Sequence, residues 1–230
     1  MKKVNIVFVH GFWSNGSCWS EIAPPLIAEG HEIISIQNPL STLAADVAAT
    51  KRAFAKLEAP IILVGHSWGG VVITAAGNHP KVEALVYIAA FAPDENETIG
   101  ELTQHYPTGI QKHLEVLDGY IWITKEGIKK YLAADLPEKQ QEYINYTQSP
   151  PAALLFGEKM GNPAWKGKPS WYIVAKNDQA IDPALQRIMA KNIDAKITEI
   201  ETGHVPIISK PEEVLKVIRE AIASVNTLTV

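Results

Sequence analysis

VGHSWGGVV, residues 64–72, ends an apolar run that begins at Pro60 and opens a stretch of helical texture. At its centre Gly65-His66-Ser67-Trp68-Gly69 is a G-x-S-x-G pattern between an expected strand and an expected helix. There the chain must reverse so sharply that the serine sits in a strained backbone conformation with its hydroxyl outward. Glycines two before and two after let strand and helix approach. The helix N-terminus beneath the turn favours negative charge. A plainer reading makes Ser67 a helix cap beside a bound phosphate. A phosphate loop would end in G-K-[ST], however, and neither that ending nor a G-x-G-x-x-G occurs. Ser67 therefore reads as a nucleophile.

Working outward, apolar β-branched runs alternate with helical-period stretches. Strands are expected at 4–10, 31–37, 60–65, 82–91, 170–176 and 196–201, and helices at 18–30, 43–57, 68–77, 183–193 and 211–225. Such strand–helix–strand units build a parallel sheet with helices on both faces. The expected fold is α/β, doubly wound and mostly parallel. From Asp94 to Lys166 strand signals are scarce and polar helical segments dominate, at 123–136 and 138–148. Residues 1–93 and 167–230 thus read as the core and 94–166 as a helical lid. The insertion follows a strand's carboxyl end, the edge where ligands bind in open sheets.

The composition narrows the partners. A net charge of -4 over 230 residues argues against nucleic acid or an anionic membrane surface. One cysteine, Cys18, makes no intramolecular disulfide and fits a reducing compartment. MKKVNIVFVHG starts like a signal peptide, but its apolar stretch is short, contains Asn5 and has no small-residue cleavage site. No run approaches the roughly 18 apolar residues of a membrane span. A soluble cytoplasmic protein, monomer or homodimer, is expected. With neither a Cys/His cluster nor a dinucleotide fingerprint, no metal and no cofactor are expected.

A nucleophilic serine needs a base, and the base an orienting acid. Of seven histidines, His204 alone follows the last expected strand and precedes the last helix, on the sheet edge that carries Ser67. For the acid, the loop after strand 170–176 offers Asp178 and Asp182. Asp182 precedes Pro183 and a helix, so capping accounts for it. Asp178 has no such explanation and is the preferred acid. His10-Gly11-Phe12-Trp13 follows the first strand. There the Phe12 amide, together with that of Trp68 after the nucleophile, would form an oxyanion hole. Trp13 and Trp122 are the aromatic residues expected to contact substrate.

VHGFWSNGSCW (9–19), VGHSWGG (64–70), YIVAKNDQAI (172–181) and TGHVPIISKPEEV (202–214) occur in the order of the α/β-hydrolase superfamily, which the chain resembles over nearly its full length. The first and last also resemble the small carboxylesterase branch that contains plant methylesterases and hydroxynitrile lyases. This resemblance implies a serine hydrolase acting on a small carboxylic ester through an acyl-enzyme, with Ser67, His204 and Asp178 as its triad. Some lyases of the branch carry lysine after the catalytic histidine, whereas Val205 stands here, which argues against cyanohydrin cleavage. Serine at 67, not aspartate, argues against the dehalogenase and epoxide-hydrolase branches. A binding or receptor protein of the same fold, a lyase and a cofactor-free perhydrolase remain as alternatives.

Overall fold

The computed structural model describes residues 3–227. Six strands, β1 (Asn5–Val9), β2 (Glu32–Ser35), β3 (Ile61–His66), β4 (Val82–Ile88), β7 (Ser170–Ala175) and β8 (Lys196–Ile200), form one sheet in the order β2-β1-β3-β4-β7-β8. Every pairing in it is parallel. All residues of β3 and β7 are buried, as continuous apolar runs demand when both faces of a sheet are covered.

Helices α2 (Leu43–Lys56) and α3 (Gly69–Ala76) pack on one another and on β1; α3 also covers β3 and β4. On the other face α9 (Pro211–Thr227) lies against β3, β4 and β7, and an Arg219–Glu29 ion pair ties it to the end of α1 (Ala23–Ala28). This is the expected doubly wound α/β fold. Sequence order fixes the helix starts locally. Thr42 caps α2 by accepting from the Ala45 amide, and Asp182 with Pro183 starts α7 (Pro183–Asn192).

Three expectations are modified. The helix foreseen at 18–30 is a 3-10 turn, Gly16–Trp19, followed by α1, because Pro24 and Pro25 lack amide hydrogens and fit only a first helical turn. In the insertion, the helix foreseen at 123–136 is one α-turn, α5 (Lys125–Gly127), running into a π-turn, Ile128–Leu132. The insertion also holds a two-stranded antiparallel ribbon, β5 (Leu114–Leu117) and β6 (Tyr120–Ile123), besides α4 (Ile99–His105) and α6 (Glu138–Thr147). Asp118 and Gly119 both take positive φ in the turn that joins its strands, the geometry of a tight hairpin. No helix among the described residues is long and apolar enough to cross a membrane.

Candidate active site

The four loops at the carboxyl ends of β1, β3, β7 and β8 converge on one point. Ser67 leaves β3 at φ +54°, the left-handed region a side chain occupies only under strain. The glycines around it are there for space. A Cβ on Gly65 would lie 2.5 Å from the Gly69 carbonyl oxygen, and one on Gly69 would lie 2.1 Å from that of Val9. Helix α3 meets the ends of β3 and β1 so closely that only hydrogen fits at these two positions.

His204 Nε2 stands 3.0 Å from Ser67 Oγ, and His204 Nδ1 donates to Asp178 Oδ2 at 2.7 Å. All three side chains are buried. Four donors saturate the Asp178 carboxylate: the Ala180 and Ile181 amides on Oδ1, and Gln186 Nε2 with His204 Nδ1 on Oδ2. Such charge-assisted bonds hold an ionised acceptor in place. Asp182 instead accepts from the Ala184 amide and caps α7. The expected trio is therefore brought together, with Asp178 and not Asp182 on the histidine.

Both amides expected to form the oxyanion hole are free of any protein acceptor among the hydrogen bonds of the described residues, whereas the Trp13 amide donates to Ser149 O. The Phe12 and Trp68 rings stack with centroids 4.8 Å apart, and Trp68 Nε1 donates to Asp46 Oδ2. Asp46 is fully buried in α2, and burial raises its pKa despite the Trp68 bond.

Two further histidines brace the site. His10 Nδ1 donates to Gly11 O, while its Nε2 accepts from the Asn38 amide, which fixes the loop carrying Phe12. His66 Nε2 donates to the backbone oxygen of His204 at 2.7 Å. Burial pushes His10 down to about 4; burial first, and then the closeness of the His204 imidazole, push His66 down to about 3. Both stay neutral near pH 7. Unfolded, each would bind a proton near pH 6.5, so the unfolded state holds more protons between about pH 6.5 and these folded values. Stability is present above that window and is lost as pH falls through it, by up to about 1.4 kcal/mol per pH unit for each histidine. Urea midpoints are expected to drop between pH 7 and pH 5, with a flatter profile in His10→Asn. Equal midpoints at both pH values would contradict neutral burial.

Two cavities flank Phe12 and Trp13. The one that reaches Ser67 and His204 has a volume of about 60 Å³ and is closed by Phe91, Ile110 and Phe156. The second, about 290 Å³, is lined by Leu132, Tyr143, Ile144, Val205 and Ile208, with Ser14 and Asn15 at its polar side. Among the described residues no Asp, Glu, Lys or Arg lines either one. Trp13 borders both, and its indole donates to Ile121 O in β6, so it pins the core loop to the insertion. Trp122, the other expected contact, does not join it. Its neighbours Ile121 and Ile123 point inward, which leaves Trp122 38% exposed and outside both cavities. Among the described residues no group of three or more His, Cys, Asp or Glu side chains could hold a metal ion.

A parallel sheet with a strained serine on the β3–α3 elbow, followed in chain order by an acid and a histidine, defines the class. The chain belongs to the alpha/beta hydrolase family, whose family model matches residues 6–217. It is similar to Methylesterase 2 of Arabidopsis thaliana, at 25% identity over 92% of this chain and 93% of that protein. It is also similar to the carbendazim hydrolyzing esterase of a Nocardioides strain, at 26% identity over 74% and 89% respectively. Of solved structures, polyneuridine aldehyde esterase superposes with a TM-score of 0.84 at 17% identity, covering 95% of this chain and 99% of that one, a likeness of fold.

Proposed function

We propose that the protein is a carboxylic ester hydrolase that works by acyl transfer through Ser67. The carrying observation is the continuous hydrogen-bonded line from Ser67 Oγ through His204 to Asp178, beside two amides with no protein acceptor among the described residues. Relatives named as a methylesterase and as a carbendazim hydrolyzing esterase support an ester as substrate.

In the first step Ser67 Oγ attacks the ester carbonyl carbon as His204 Nε2 takes its proton. Asp178 holds the imidazole with hydrogen on Nδ1 and stabilises the imidazolium. The Phe12 and Trp68 amides donate to the carbonyl oxygen as it becomes negative; removing one such donor typically costs about 2.7–4 kcal/mol. The tetrahedral intermediate collapses, His204 protonates the departing alcohol, and an acyl-serine remains. Water then attacks the acyl carbon with His204 as base, which releases the acid and restores Ser67.

The substrate is an uncharged ester with one small end, since the compartment at Ser67 is about 60 Å³ and apolar. Across p-nitrophenyl esters of rising acyl length, turnover is expected for acetate and butyrate and a fall of at least about tenfold by octanoate, the steric limit of a pocket this size. Trp122→Ala should leave that preference unchanged. No turnover on any ester or lactone would instead point to a binding protein of this fold.

A further inference from the structure

We propose that Asp135, in the insertion, is a positioning residue for His204. This rests on the reading of His204 as the catalytic base. His204 sits on a short connection between β8 and α8 (Pro206–Ser209), and each of its flanks is tied to a different part of the molecule. From the nucleophile side, His66 Nε2 donates to the His204 carbonyl. From the acid side, the amide of Asn177, next to Asp178, donates to the Thr202 carbonyl at 3.0 Å. From the insertion, one oxygen of Asp135 accepts both the Gly203 amide at 2.7 Å and the Thr202 hydroxyl at 3.0 Å. The Thr202 hydroxyl in turn contacts Ser209 Oγ at 2.5 Å.

The Gly203 amide belongs to a buried residue one position before His204, and a buried amide needs an acceptor. Asp135 is the one protein acceptor it has among the described residues. Gly203 fits this arrangement closely, because a Cβ there would stand 2.6 Å from Asp135 Oδ1. Asp135 is itself exposed, but the turn that carries it is flanked by the buried Ala133 and Leu136. The π-turn before it ends at the buried Leu132, and the next residue, buried Ala133, accepts through its carbonyl from the side chain of Gln141 in α6. Of the three ties on the His204 segment, this one crosses from the insertion to the core. The seating of the insertion therefore sets the alignment of His204 with Ser67.

The test compares Asp135→Ala, Asp135→Asn, Gly203→Ala and His204→Ala with wild type on p-nitrophenyl acetate, with melting temperatures measured alongside. Asp135→Ala should lower kcat at least about tenfold with KM little changed, since misplacement by an ångström can cost about 10²-fold. Asp135→Asn keeps an accepting oxygen for the Gly203 amide and should recover most of the rate. Gly203→Ala pushes the carboxylate off the amide and should reproduce the loss, and it reports in place of Asp135→Ala should that variant not fold. Unchanged kcat in folded Asp135→Ala or Gly203→Ala, alongside an inactive His204→Ala, would overturn the inference and leave the triad standing. A loss shared in full by Asp135→Asn, or one that only follows the melting temperature, would also overturn it. Wild-type turnover in His204→Ala would remove the base assignment first, and this inference with it.

Discussion

Ser67→Ala is expected to lower kcat on p-nitrophenyl acetate by about 10⁶, roughly 8 kcal/mol of transition-state stabilisation. The loss should be that large because no other group stands where the serine oxygen does. His204 Nε2 would then face a methyl group, and the amides of Phe12 and Trp68 would be left to act on an ester attacked by water alone. The fold should tolerate the change. Alanine accepts the same backbone strain at φ +54° as serine, and the elbow depends on Gly65 and Gly69. The melting temperature should therefore stay near that of wild type while activity disappears. Activity within about tenfold of wild type would mean that the ester is cleaved elsewhere or by another nucleophile.

Asp178→Asn should cost about 10⁴ in kcat, close to 5.5 kcal/mol. The bonding around this side chain explains why an isosteric change is so damaging. One oxygen accepts from the Ala180 and Ile181 amides, so the amide oxygen of asparagine must take that place. Its NH₂ group then meets two donors, Gln186 Nε2 and His204 Nδ1. The clash with Gln186 persists, while that with His204 is relieved when the imidazole moves its hydrogen to Nε2. In that tautomer it cannot accept the proton of Ser67. Asp182→Asn is the control: asparagine caps a helix as well as aspartate, so activity and stability should both hold. If the large loss followed Asp182 instead, the acid would be misassigned.

Much of this was legible because it is local. The β3 run Ile61–Val64, the elbow glycines and the Asp182-Pro183 helix start each carry their geometry within a few residues. The trio could be placed because a parallel sheet brings all strand ends of one sense to one edge, so chain order became spatial order. The less legible features are of two kinds. The β5–β6 ribbon had a local signal, since Asp118-Gly119 between Leu114–Leu117 and Tyr120–Ile123 is hairpin chemistry, overshadowed by the polar helical texture around it. The outward face of Trp122 follows from that ribbon. Gln186, His66, Asp46 and Asp135 had no such signal. Each acts on a residue distant in sequence or already engaged, and only packing shows that Gln186 on α7 reaches back to Asp178 or that Asp135 reaches Gly203.

The central claim is that Ser67 carries the acyl group. Brief reaction with a fluorophosphonate ester, followed by intact-mass measurement and peptide mapping, tests it most directly. One adduct per chain is expected, on the peptide containing Ser67, lost in Ser67→Ala and slowed in both His204→Ala and Asp178→Asn. An unlabelled wild-type protein, or an adduct that persists in Ser67→Ala, would contradict it.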